Sequence, residues 1–250
     1  MRPLIAKIKP ANGFSKIAHT GLNVLLPLAV FAMVSIGFIW QAALPIIIFS
    51  KWRMFAVRPR FWPANIRANS VDIIVGISLM LFMVNSSSEM VRLLWAVVYI
   101  VWLVVIKPAY DTIVVSLQAF ISMVCGLMAI FVAWGDGPVY GLVLLTGLVC
   151  YLSARHFFDS FDEPYAKLLS YVWGYFGASL VWILGHWLLY YGIVAQPVLL
   201  LIAIGLGLGS LYYLDHRDRL SQGIQRQVLF IMVAVIVIVL IFSDWGDKIV

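Results

Sequence analysis

Charge is what this 250-residue sequence has least of: Asp, Glu, Lys and Arg together make up 11% of it, against 64% apolar residues. Ordinary soluble domains carry about 25% charged residues and about 45–50% apolar ones, so a soluble globular fold is excluded. Cysteine is nearly missing as well. Cys125 and Cys150 lie inside apolar runs without metal-type spacing, and read as small buried hydrophobes. Period-two alternation is absent from runs such as Val228 to Phe242, which excludes a transmembrane β-barrel. Acids are missing from the middle of the apolar runs, where strong ion coupling would normally need them. The last two runs hold no lysine, so a retinal-type Schiff base has no attachment point.

What remains is a succession of apolar runs, and these predict an all-α polytopic transmembrane bundle of about eight spans. A helix crossing a hydrocarbon layer about 30 Å thick needs roughly 20 apolar residues. The runs are Leu22 to Phe49, Val71 to Val84, Val91 to Ile106, Thr112 to Trp134, Val139 to Ala154, Leu168 to Tyr191, Val198 to Leu214 and Val228 to Phe242. The first contains Pro27 and Pro45, and reads either as one kinked span or as a re-entrant or interfacial pair, which would leave seven spans. It is too long for a signal-peptide core, so its start reads as an anchor that stays. Residues 1–20, with Arg2, Lys7, Lys9 and Lys16 among apolar neighbours, read as a basic segment on an anionic membrane surface. Residues 21–250 read as a single transmembrane domain.

The positive charge, +6 overall, sits in loops rather than on a nucleic-acid-binding face. Lys51, Arg53, Arg58, Arg60, Arg67, Lys107, Arg155, Lys167, Arg217, Arg219 and Arg226 all fall after odd-numbered runs, whereas Arg92 and Lys248 alone follow even-numbered ones. The positive-inside rule therefore assigns loops 51–69, 107–111, 154–167 and 215–227 to the cytoplasm of a cell-membrane protein. Eight simple spans would put the basic N-terminal segment outside, and a hairpin within Leu22 to Phe49 would bring it inside.

The most polar stretch is Ser153 to Lys167. If a helix continued from Arg155 to Glu163, then His156, Asp159, Ser160 and Glu163 would share one face, a constellation suited to acid/base or metal chemistry. His156, Asp159 and Glu163 are accordingly the candidate catalytic residues. The competing reading is a capping box, Ser160-Phe161-Asp162-Glu163, with Pro164 in the first turn of the next helix. His186, inside the sixth run, is the candidate ligand-binding residue, with Trp182 and Tyr175 beside it. Gly174, Gly177, Ala178, Ser179 and Gly185 predict close helix packing in that run, and Gly205, Gly207 and Gly209 do so in the seventh. Asp72, Glu89 and Asp111 lie at run ends and read as ordinary wetted acids. Trp134-Gly135-Asp136 and Trp245-Gly246-Asp247 close two runs in the same way.

Lys51, Arg58 and Pro59 have the spacing K-x6-R-P, which resembles the first motif of the PAP2 lipid phosphatase family, where such bases hold phosphate. The second motif, Pro-Ser-Gly-His, is absent, and His156 directly follows Arg155 instead of standing five residues on. The phosphatase nucleophile is therefore missing. Pairs of histidines, His19 with His186 and His156 with His216, would be needed for two bis-histidine haems. Neither a cofactor nor a metal follows from the sequence. The functional expectation is a membrane protein that binds or passes a small apolar or amphipathic molecule, such as a lipid, between helices. A membrane enzyme with a cytoplasmic His/Asp/Glu site and a structural subunit are the alternatives.

Overall fold

A computed structural model describes residues 13–37, 40–187 and 190–243. The N-terminal basic segment before residue 13 and the Trp245-Gly246-Asp247 repeat lie outside the described residues, as does the side chain of His19.

The apolar runs form helices, as expected for backbone that must satisfy its own hydrogen bonds in lipid. In chain order these are α1 (Gly13–Ser35), α2 (Ala43–Phe49), α3 (Trp62–Ala68), α4 (Ser70–Val84), α5 (Glu89–Val101), α6 (Thr112–Trp134), α7 (Val139–Asp159), α8 (Ala166–Leu184), α9 (Gln196–His216) and α10 (Gln222–Ile241). Among the described residues, six segments are long and apolar enough to cross a membrane: Glu89–Ile106, Thr112–Trp134, Val139–Asp159, Ala166–Trp187, Gln196–His216 and Gln222–Ile241. A seventh arises if Pro59–Ala68 and Ser70–Val84, bent by 63°, count as one span. The chain is an integral membrane protein of the all-α class.

The Leu22–Phe49 run is divided rather than continuous. α1 ends at Ser35, and the short α2 returns the chain along α4, with Val30, Ala43, Ile47, Met80, Met83 and Ala96 forming one buried cluster. Lys51 then arrives beside Asp72 in the first turn of α4. α4 itself has 15 residues, about 22 Å at 1.5 Å per residue, so it crosses only part of a bilayer before the Asn85–Ser88 turn.

α6 is the axis of the bundle. Its Met123, Leu127, Ile130 and Phe131 pack with Leu142, Val149 and Cys150 of α7 and with Val198 and Leu201 of α9, while its Ala129 joins a second cluster with α4 and α5. The closest helix pair is α7 with α8. A Cβ on Gly174 would come within 2.9 Å of Tyr151 Cβ and 3.0 Å of the Gly147 carbonyl, and one on Gly177 within 2.7 Å of Cys150 Sγ. Small residues here let the two backbones approach closely in lipid. α10 sits at the opposite extreme, with only 6% of its spanning window buried.

Two local features depart from the simple run pattern. α5 continues as a π turn over Trp102–Ile106, closed by Lys107 N–H donating to the Trp102 carbonyl at 2.9 Å. After α8 comes a small antiparallel hairpin, β1 (Tyr190–Tyr191) and β2 (Val194–Ala195), with Tyr190 opposite Ala195 and Gly192 at φ 64 in the turn. That positive φ is where glycine is favoured in a two-residue hairpin turn. The sixth run therefore stops being helical before Tyr191.

Candidate functional site

Asp72 is the hub of the polar structure. Its Oδ2 takes Lys51 Nζ at 3.2 Å and Lys107 Nζ at 2.7 Å, and its Oδ1 accepts the Trp102 indole N–H at 3.2 Å. The lysine side chains are 10% and 29% exposed and that of Asp72 12%, so this is a largely buried pair of positive charges on one negative charge. Burial pushes the Lys51 ammonium down to about 8, with Asp72 opposing the fall. The π turn explains how Trp102 and Lys107 reach the same carboxylate. Its i to i+5 bonding brings residues five apart onto one side, whereas an α-helix aligns residues three or four apart. Asp72 is thus no ordinary wetted run end. Lys51, of the K-x6-R-P spacing, is committed to Asp72, and Arg58 is exposed.

A second set of hydrogen bonds extends this cluster to α6 and α7. The Gln118 amide donates to the carbonyls of Ile106 at 2.7 Å and Ala109 at 3.2 Å, satisfying the turn after the π segment. Its Oε1 lies 3.3 Å from His156 Nε2. An amide oxygen only accepts, so the His156 ring is protonated on Nε2. Ser122 and Ser153 bond across the same helix pair at 2.7 Å.

The three candidate catalytic residues thereby acquire separate partners. His156 engages Gln118, Asp159 pairs with Arg155 at 3.0 Å, and the Tyr212 hydroxyl donates to Glu163 at 2.5 Å. α7 ends at Asp159, so Glu163 does not continue its face. The capping box does not form either: Ser160 is the C-cap of α7 and donates to the Phe157 carbonyl, while Tyr165 is the N-cap of α8. Glu163 instead accepts the Tyr165 N–H at 3.2 Å, and the Tyr212 hydroxyl, then this N–H, hold its carboxyl below the usual range. Phe157, Phe158 and Phe161 close around Tyr212 at centroid distances of 5.7, 5.1 and 5.3 Å, locking the α7–α8 turn to α9. Among the described residues no three His, Cys, Asp or Glu side chains are grouped to hold a metal.

Arg155 is the exception to this satisfied network. Nη2 pairs with Asp159, but Nε and Nη1 are buried and have no partner. Arg155 and Arg67 both lie within electrostatic reach of Tyr151, whose ring stacks on Tyr171 at 4.8 Å, and Lys167 stands 6.0 Å from the Tyr171 ring. Arg67, Lys167 and Tyr171 are exposed. This basic and aromatic group at the outer edge of α7 and α8 was hidden in the sequence because no single stretch contains it. The clue was Arg155 directly after the apolar run Val139 to Ala154.

The candidate ligand residues continue from it along α8. Tyr171, Tyr175 and Trp182 are 53%, 78% and 45% exposed and follow one another at spacings of four and seven, which puts them on one outward stripe. Trp182 packs on Tyr140 at 5.5 Å and on His186 at 5.6 Å. His186 is not in the middle of a span. It lies in the 3-10 turn Gly185–Trp187 after α8, with Nδ1 3.0 Å from the Trp182 carbonyl.

Compared with protein-family models, with curated proteins and with solved structures, the chain matches none.

Proposed function

We propose that this membrane protein binds an anionic amphiphile, a lipid or lipid-like molecule whose phosphate or carboxylate headgroup sits on Arg155, Arg67 and Lys167 and whose apolar part lies along the Tyr171–Tyr175–Trp182 stripe of α8. The observation that carries the reading is the Arg155 guanidinium, two of whose nitrogens, Nε and Nη1, are buried and unpartnered. Such donors cost about 1–3 kcal/mol each when left unsatisfied, more when charged, and an anion would satisfy them. The neighbouring bases add attraction for a headgroup, and stacked tyrosines at the rim suit the boundary between headgroup and hydrocarbon. Residues 21–250 act as one transmembrane domain in this reading, with the basic loops on the cytoplasmic side of the cell membrane, where anionic lipids concentrate.

Native mass spectrometry of the detergent-purified protein tests the proposal. Adducts of anionic lipid on the wild type, reduced about tenfold or more in Arg155→Gln, are expected; a loss of about 1.4 kcal/mol of binding produces a tenfold change. Equal adducts of zwitterionic and anionic lipid, or anionic adducts indifferent to Arg155→Gln, would sink it. Arg60→Gln, on an exposed base outside the proposed site, is the control that leaves the adducts unchanged.

A further inference from the structure

At the opposite end of the bundle from Lys51, the last turn of α6 and the β hairpin enclose an open pocket of about 540 Å3. Its walls include Phe131, Trp134, Gly135, Asp136, Tyr190 and Ile193. The pocket exists because two elements distant in sequence are held at close range. The Tyr190 hydroxyl donates to the Phe131 carbonyl at 3.3 Å, and a Cβ on Gly135 would come within 1.9 Å of that hydroxyl, so only glycine lets the tyrosine seat there.

The lining has a definite electrostatic character. Asp136 is its one ionisable acid, the lining holds no Lys, Arg or His, and among the described residues Asp136 makes no ion pair. The pocket also sits at the C-terminal end of a 23-residue helix, the negative end of the helix dipole. Trp134 and Tyr190 are 57% and 43% exposed, so their rings are open to a ligand. Aromatic rings with a carboxylate favour a weakly hydrated organic cation over a small metal ion, because the rings attract positive charge through their faces and supply no coordinating oxygen.

We propose that this pocket is a binding site for an organic cation of the quaternary ammonium class, held between the Trp134 and Tyr190 rings with Asp136 as counter-charge. It stands independently of the anion-binding site proposed at the other end of the bundle. The sequence had already set Trp134-Gly135-Asp136 apart, as one of two matching run ends. In the folded chain that tripeptide supplies a ring, the space for Tyr190 and the charge.

Titration calorimetry of the full-length protein in a maltoside detergent, with choline and its neutral isostere 3,3-dimethyl-1-butanol as probes, tests the proposal. Saturable choline binding at least tenfold tighter than the isostere is expected, weakened at least tenfold by Asp136→Asn and retained by Asp136→Glu. Trp134→Leu should weaken it as well, with helical circular dichroism and elution volume unchanged to show that the variant is folded. No saturable choline binding, equal binding of the isostere, or binding indifferent to Asp136→Asn would each overturn the proposal.

Discussion

Two groups of basic residues lie in the same half of the bundle, and they differ in one respect. Around Asp72 every charged group has a partner: Lys51, Lys107 and Trp102 converge on one carboxylate, and Gln118 closes the carbonyls beside them. Around Arg155 the matching stops, with one nitrogen on Asp159 and two without partners. The first arrangement fastens α4, the π turn and the segment after α2 to one another; the second leaves binding capacity unused. A satisfied buried cluster is a structural clasp, whereas an unsatisfied one keeps donors for a further partner.

Substitutions can break that contrast, and the largest effect belongs to the clasp. Asp72→Ala strands two largely buried ammonium groups, and loss of one partner of a buried pair costs about 3–5 kcal/mol. The variant should lose most of its folded yield, read as aggregation on size exclusion. Next comes the open group. Added anionic lipid at about a hundred times its Kd should stabilise the wild type by about 2.7 kcal/mol, read as a rise in thermal unfolding temperature. Arg155→Met should remove most of that rise while leaving lipid-free stability unchanged or slightly higher.

Lys51 sharpens the comparison through pH. Its folded value, about 8, is below that of the unfolded chain because burial outweighs the pull of Asp72. The unfolded state therefore holds more protons between about pH 8 and the ordinary lysine range, and stability from this group rises with pH across that window. Lys51→Met should flatten the rise, and because Lys107 still pairs with Asp72 it should destabilise far less than Asp72→Ala. The smallest effect is expected at Asp159, which is 48% exposed. Asp159→Asn keeps an amide oxygen for Arg155 Nη2 and removes only the charge of a half-exposed acid, about 1 kcal/mol or less, a small shift in thermal melts.

The apolar runs and their turns were legible because lipid imposes length and polarity on each span locally. Asn85–Ser88 and Gly135–Pro138 fall between helices as their composition demands. Asp72 was not legible as a hub, since Lys51 and Lys107 reach it from opposite directions along the chain and by way of a π turn. The capping-box pattern at Ser160 failed because α7 stayed helical through Asp159 and used Ser160 at its end, leaving Glu163 for Tyr212. His186 was read inside a span because the apolar run, which reaches Tyr191, outlasts the helix, which ends at Leu184 before a turn and a hairpin. The glycine between aromatic and β-branched residues was the available signal.

The π turn carries a consequence for how this chain tolerates change in length. A helix with i to i+5 bonding holds one residue more per turn than its α neighbours need, so Trp102–Ile106 behaves as a stored insertion. Removing one residue there would let the ladder revert to α geometry, with the lysine after the turn then four residues from Trp102 and still on the Asp72 side. Lys107 would keep its direction toward Asp72, and the hydrophobic length of the span would hardly alter. A deletion elsewhere in α5 would turn everything beyond it by about 100° and carry Lys107 away from Asp72; within these five residues it is absorbed.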